Sequence, residues 1–153
     1  MLTNEESIHI NASPDEVFRY VTDIKRHPEW ASNPMEMTVH GEPVQAGTKF
    51  TSVVSAFGKE TGEGTVIEMV PPSRFVYECD TSTSGLWRWT MTLSPENGGT
   101  RLSHKGEGLR VPGFFKIVQP LTFRFLGKKM ATKGLGKLKE KIEAGAGREA
   151  ALS

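Results

Sequence analysis

The chain predicts an α+β domain in which a curved, seven-stranded antiparallel sheet wraps around one long C-terminal helix. Three observations carry this prediction. Seven stretches alternate apolar and polar residues with the period of two that a half-buried sheet requires. The connections between them are mostly short turns, which fits a meander of neighbouring strands. From about Pro112 to Ala144 the period becomes helical, and a helix this long with one apolar face needs a broad apolar surface to lie on.

The elements follow in order. Ser7 to Ala12 reads as the first strand, with Ile8 and Ile10 on one face and His9 on the other. Ser13-Pro14-Asp15-Glu16 then opens a helix: Ser13 caps the Glu16 N–H, Glu16 reaches back, and Pro14 takes the first helical position. Val17, Val21 and Ile24 form its stripe. Asp23 is expected to cap a second short helix that Pro28 stops, and His27 is expected in a loop. Two short helices in a row suit a plug at one end of the sheet. The strands then come as Met35 to His40, Phe50 to Ala56, Thr61 to Val70, Phe75 to Cys79, Trp87 to Leu93, and Thr100 to His104. Asn97-Gly98 between the last two is a strong two-residue hairpin turn.

In the C-terminal helix, Pro112 suits the first position and Gly145 the position past the end, with Lys137, Lys139 and Lys141 complementing the negative end of the dipole. Phe114, Ile117, Val118, Leu121 and Phe125 form a stripe that Ala131, Leu135, Leu138 and Ile142 continue, and this stripe is expected to face the sheet. Phe115, Phe123, Leu126 and Met130 form a second apolar set opposite it. Pro120 is expected to kink the helix. Gly127 and Gly134 lie on one flank, where missing side chains mean room for a ligand, a close approach of helix and sheet, or a locally loose helix. The residues from Gly145 to Ser153 read as a frayed tail.

At 153 residues, 37% hydrophobic and 24% charged, the sequence is that of one ordinary globular domain spanning 1–153. The net charge of +1 hides an asymmetry. Arg110 to Lys141 holds nine basic residues and one acid, a local charge of +8 that leaves −7 for the remainder. A basic helix of this kind presents either a solvated face or a contact for an anionic membrane, so peripheral membrane contact is one expected partner and nucleic acid is not. Cys79 is the only cysteine, which excludes an intrachain disulfide and a cysteine metal cluster; its expected role is small core packing. The first residues lack a basic and then apolar leader pattern, so the expected location is cytoplasmic, and the expected assembly is a monomer or homodimer.

Several motifs resemble one family over roughly residues 5 to 143. Ser13-Pro14-Asp15-Glu16-Val17-Phe18, Val21-Thr22-Asp23 and His27-Pro28-Glu29-Trp30 resemble the opening of the polyketide cyclase/dehydrase branch of the START-like (SRPBCC) superfamily. Gly47-Thr48-Lys49-Phe50, Pro71-Pro72-Ser73-Arg74-Phe75, Gly99-Thr100-Arg101-Leu102 and Pro120 fall where that branch has similar segments. The resemblance implies the helix-grip fold, with a deep cavity between sheet and long helix for a hydrophobic or amphipathic small molecule. The superfamily hosts cyclases, lipid carriers and hormone receptors, so the fold alone does not choose among them.

No phosphate loop, dinucleotide fingerprint, zinc-protease motif or nucleophile elbow occurs, and neither a cofactor nor a metal is expected. The candidate site is the inward face of the late strands. If Trp87, Trp89, Met91 and Leu93 face inward, so by pleat do Leu102, His104 and Gly106. His104 is then a polar group on an apolar wall, able to act as general acid or base, or to satisfy itself on a neighbouring hydroxyl. Tyr77 is either a hydrogen-bond donor in the cavity or a core tyrosine. Trp30, Phe50, Val54 and Phe75 are expected at the cavity wall, with Leu121, Phe125, Gly134 and Leu135 facing them from the helix. His9 and His40 are read as solvent-facing. With few ionisable residues inward, binding or carriage of a hydrophobic small molecule is the leading function. A cyclase or dehydratase using His104 or Tyr77, and an interaction module using the basic helix, are the alternatives.

Overall fold

The computed structural model describes the backbone of residues 2–56 and 58–152, and their side chains except those of 119–124 and 148–152. The strands are β1 (Thr3–Ile10), β2 (Met35–His40), β3 (Lys49–Ser55), β4 (Lys59–Val70), β5 (Arg74–Thr81), β6 (Gly85–Glu96) and β7 (Gly99–Arg110). They form one antiparallel sheet in the order β1-β7-β6-β5-β4-β3-β2, a six-strand meander with β1 added to the edge of β7. The alternation works as expected. Phe50 and Ser52 of β3, Tyr77 and Cys79 of β5, Trp87 and Met91 of β6 and Leu102 of β7 are all buried on the inner face. Asn97 and Gly98 both have positive φ, as the tight β6–β7 turn requires.

Between β1 and β2 lies the plug: α1 (Pro14–Thr22), a short 3₁₀ turn (Ile24–Arg26) and α2 (His27–Trp30). The Ser13 capping box is present: the Glu16 N–H donates to Ser13 Oγ at 3.2 Å and the Ser13 N–H to Glu16 Oε2 at 3.4 Å. The second helix differs from expectation. Asp23 makes no side-chain cap, and Pro28 sits in the first turn of α2 rather than ending it, where its missing N–H has no partner to lose. The Tyr20 hydroxyl donates to Glu29 Oε2 at 2.6 Å and ties α2 to α1.

His27, expected in a loop, is instead a buried member of α2, and its Nε2–H donates to the Val21 carbonyl at 2.8 Å. β1 begins at Thr3, earlier than its hydrophobic alternation indicates, because its first half pairs with the distal end of β7.

The C-terminal helix differs most. It comprises α3 (Gly113–Thr122), a π-helical segment (Phe123–Gly127) and α4 (Lys128–Leu152). Pro112 lies before the first helical residue, and Gly145 lies within α4 rather than past its end, so residues 145–152 continue the helix. Lys137 and Lys139 do not cap a terminus: their ammonium groups donate to the Ala31 carbonyl (3.2 Å) and the His9 carbonyl (2.8 Å). Glu143 accepts from Lys139 and from the Asn11 N–H at 2.8 Å. These bonds fix α4 along β1 and against α2. Leu135, Leu138 and Ile142 then complete a core with Ile10, Val17, Val21, Ile24, Phe75, Met91, Leu93 and Leu102.

The single continuous stripe is not found. A π turn inserts one extra residue into the helix and so rotates the C-terminal part by about 100° relative to the N-terminal part. Phe114, Ile117 and Val118 therefore do not share a face with Leu135 and Leu138. α3 makes little contact with the sheet, and Phe114 (71% exposed), Ile117 (84%) and Phe125 (76%) face outward. Pro120 lies in α3's last turn, three residues before the π segment.

His27 generates a test. Burial lowers its pKa to about 4, although its bond to the Val21 carbonyl favours the protonated form. Between pH 6.5 and 4 the unfolded chain binds a proton there that the folded chain does not. Stability from this group is therefore full above pH 6.5 and declines as pH falls toward 4. Urea unfolding of the wild type should weaken over that window. His27→Gln should reduce the pH slope of unfolding free energy by up to about 1.4 kcal/mol per pH unit. An identical slope in both proteins would show that His27 is not held neutral.

Candidate functional site

The inner face of β2–β7, the plug and the start of α4 line a cavity of about 370 Å³. Register sets its walls. Tyr77 pairs with Trp89, Cys79 with Trp87, Gly64 with both Phe50 and Cys79, and Gly62 with Ser52 and Thr81. Gly64 and Gly106 are glycine for a steric reason: a Cβ at either would collide with the ring of Phe50 or Trp89, which lies flat over it. Two strand glycines thus let large rings lie against the sheet, where their faces become wall.

The rings form a continuous series. Phe50 meets Tyr77 (centroids 5.9 Å apart), Tyr77 meets His27 (5.6 Å), and His27 meets Trp30 (5.0 Å). Trp30 meets His104 edge-on (6.0 Å), His104 stacks on Trp89 (5.1 Å), and Trp89 stacks on Trp87 (6.0 Å). All three tryptophans of the chain line the cavity. Met35, Met37, Met130 and Ala131 supply apolar wall between them.

The predicted site residues divide. Trp30, Phe50, Val54, Tyr77, Trp87, Trp89, His104, Gly134 and Leu135 line the cavity. Phe75, Met91 and Leu102 do not: each is wholly buried in the core, beneath the plug and α4 rather than at the cavity. Phe125 faces solvent, because the π segment turns it away. The Leu121 side chain lies outside the described residues. Gly134 combines both of its expected roles. It lines the cavity, and a Cβ there would sit 3.3 Å from the Trp30 carbonyl oxygen, a close approach to the plug rather than to the sheet.

Several polar features were not legible. His27 and Glu60 line the cavity, as do Cys79, expected only in the core, and Ser52. The Ser52 Oγ and Cys79 Sγ lie 3.7 Å apart, and burial raises the thiol pKa. The alternation of β4 places Glu60 on the same face as Gly62, Gly64 and Val66, which is the signal that finds it. Among the described residues no group of three or more His, Cys, Asp or Glu side chains is arranged to hold a metal ion.

The chemistry available is limited. Burial, and to a lesser extent nearby His27, lowers the His104 pKa to about 4, so His104 is neutral at pH 7. His104 Nε2 and Trp30 Nε1 are shielded from solvent and have no hydrogen-bond partner among the described residues. Burial raises the Tyr77 hydroxyl, which stays protonated. His9 is partly accessible and bonds Glu96 and Asn11, and His40 is exposed, so neither joins the site.

Solved structures share this architecture. TTHA0849 from Thermus thermophilus aligns with a TM-score of 0.77 at 20% identity, over 94% of this chain and 99% of that one. Protein CV1439 from Chromobacterium violaceum gives 0.71 at 24% identity, over 92% and 96%. The di-domain ARO/CYC StfQ from the steffimycin biosynthetic pathway gives 0.76 at 13% identity, over 95% of this chain and 51% of that one. These identities show a common fold alone. No curated protein matches the chain by sequence. The family described as "Polyketide cyclase / dehydrase and lipid transport" matches residues 1–143, and the chain is a member of that family with the helix-grip fold.

Proposed function

We propose that the protein binds a hydrophobic or amphipathic small molecule in the cavity between sheet and α4, as a carrier or binding protein. One observation supports this above the others: an aromatic-walled cavity of about 370 Å³, a size typical of small-molecule sites. The acid–base alternative, a cyclase or dehydratase, has less support. His104 and Tyr77 reach the cavity, but neither is oriented by a hydrogen bond to a second ionisable group among the described residues. Gly134→Leu tests the reading. The added side chain fills cavity space and presses on the Trp30 carbonyl, so it should cost about 1–3 kcal/mol of stability. It should also weaken binding of a fluorescent apolar probe severalfold. Wild-type protein that does not bind the probe, or a variant that binds it equally well, would contradict cavity binding.

A second reading concerns α3. Phe114, Ile117, Val118, Phe125 and Leu126 are exposed large apolar residues on one short stretch, beside exposed Lys116, Lys128 and Lys129. An apolar surface rimmed by cations matches the interface of an anionic bilayer, in which the helix would lie flat. Gly127 and Met130, next along the chain, line the cavity, so docking here brings the cavity close to the lipid. Sedimentation with phosphatidylglycerol vesicles at low salt should be strong, should weaken at high salt, and should be lost in Ile117→Glu. Binding of wild type and Ile117→Glu alike, or a concentration-dependent dimer abolished by Ile117→Glu without any vesicle binding, would overturn the membrane reading.

A further inference from the structure

Glu60 sits near the start of β4, opposite Val54 of β3, half-buried and facing the cavity. Its position is built. Oε1 accepts from the Ser84 N–H at 2.8 Å and from the Ser84 hydroxyl at 2.6 Å. Ser84 in turn accepts the Trp87 Nε1–H on its carbonyl at 2.9 Å, so one residue positions both the carboxylate and the neighbouring ring. Burial alone would raise the Glu60 pKa, but the hydrogen bonds from Ser84 and Thr81 hold it below the ordinary carboxylate range, and the group is charged at pH 7.

No cation among the described residues answers that charge. Among the described residues lining the cavity there is no lysine or arginine, and none of the described residues forms an ion pair with Glu60. A charge turned toward apolar walls is costly unless it is paired. Aromatic faces beside it attract cations in their own right. Along β4 the backbone rises roughly 13 Å from Glu60 to Gly64, the row of Phe50, while the Trp87 indole reaches back to Ser84 beside the carboxylate.

We propose that Glu60 is the recognition site for a protonated amine on a hydrophobic ligand, with the ammonium group paired to the carboxylate and the apolar body lying along Phe50, Met37 and Trp87. This rests on the cavity-binding reading and deepens it by naming the ligand class, a cationic amphiphile. A hydroxyl head would donate a hydrogen bond to Glu60 without neutralising it, and a carboxylate head would repel it.

The test uses three probes with one chain and different heads: octylamine, octanol and octanoate. Binding is read at pH 7 from tryptophan fluorescence, since all three tryptophans line the cavity. In the wild type, octylamine should bind at least tenfold more tightly than octanol, and octanoate most weakly. In Glu60→Gln, which keeps an oxygen for Ser84, octylamine should lose at least tenfold while octanol is unchanged. Equal affinity for octylamine and octanol in the wild type, or an amine preference that survives in Glu60→Gln, would overturn the Glu60 assignment and leave cavity binding intact. No response to any of the three probes would overturn cavity binding itself. Should the variant not fold, the wild-type ranking decides alone.

Discussion

The attachment of α4 to one side of the sheet is the constraint on which the rest of the structure depends. A seven-stranded curved sheet presents more inner surface than one helix can cover. Here α4 is committed to β1 and the plug by Leu138 and Ile142 in the core and by the Lys137, Lys139 and Glu143 hydrogen bonds around it. The start of α4 then spans the outer part of the inner face of β3 to β6 without packing down on it. A closed core would need either a second helix or larger side chains there. The chain supplies no second helix, and its large rings line the space without filling it, so this surface becomes the wall of a cavity.

The walls carry a second consequence. Rings rather than aliphatic side chains face the space, and the glycines at 64 and 106 let them lie flat instead of standing into it. Flat rings widen the cavity and present faces that take apolar bodies and cations alike. At the end near His27, Tyr77 and His104 the polar groups are neutral; at the other end Glu60 is charged. The space is thus polarised along the strands, which is the form an amphipathic ligand requires. The exposed apolar face of α3 is a separate surface, joined to the cavity through the π segment.

Much of this was legible from local patterns. Alternation with a period of two places Trp87, Trp89, His104 and Tyr77 on the inner face, because the pleat leaves no other choice once the neighbours are apolar. The capping box at Ser13 and Glu16 is similarly local. What failed depends on three-dimensional context. Phe75, Met91 and Leu102 share the face of the cavity residues, but their depth under the plug is a matter of how far the helices reach, which no strand pattern records. His27 has no periodic signature in a four-residue helix. Glu60 follows the β4 alternation but sits among glycines and small polar residues, so the strand gives weak apolar contrast to mark its inner face. In the C-terminal helix the apolar residues recur on both sides of the π segment, and a periodicity count cannot see the single added residue that turns Phe114, Ile117 and Phe125 into solvent.

The central claim is that the space beneath α4 is where a ligand resides. Intermolecular nuclear Overhauser effects from a bound apolar probe to assigned side chains measure this directly. The account predicts contacts to the indoles of Trp87 and Trp89 and to the methyls of Met37 and Met130, which surround the cavity. Contacts confined to Phe114 and Ile117 on the outer face of α3, with none to the tryptophans, would contradict it.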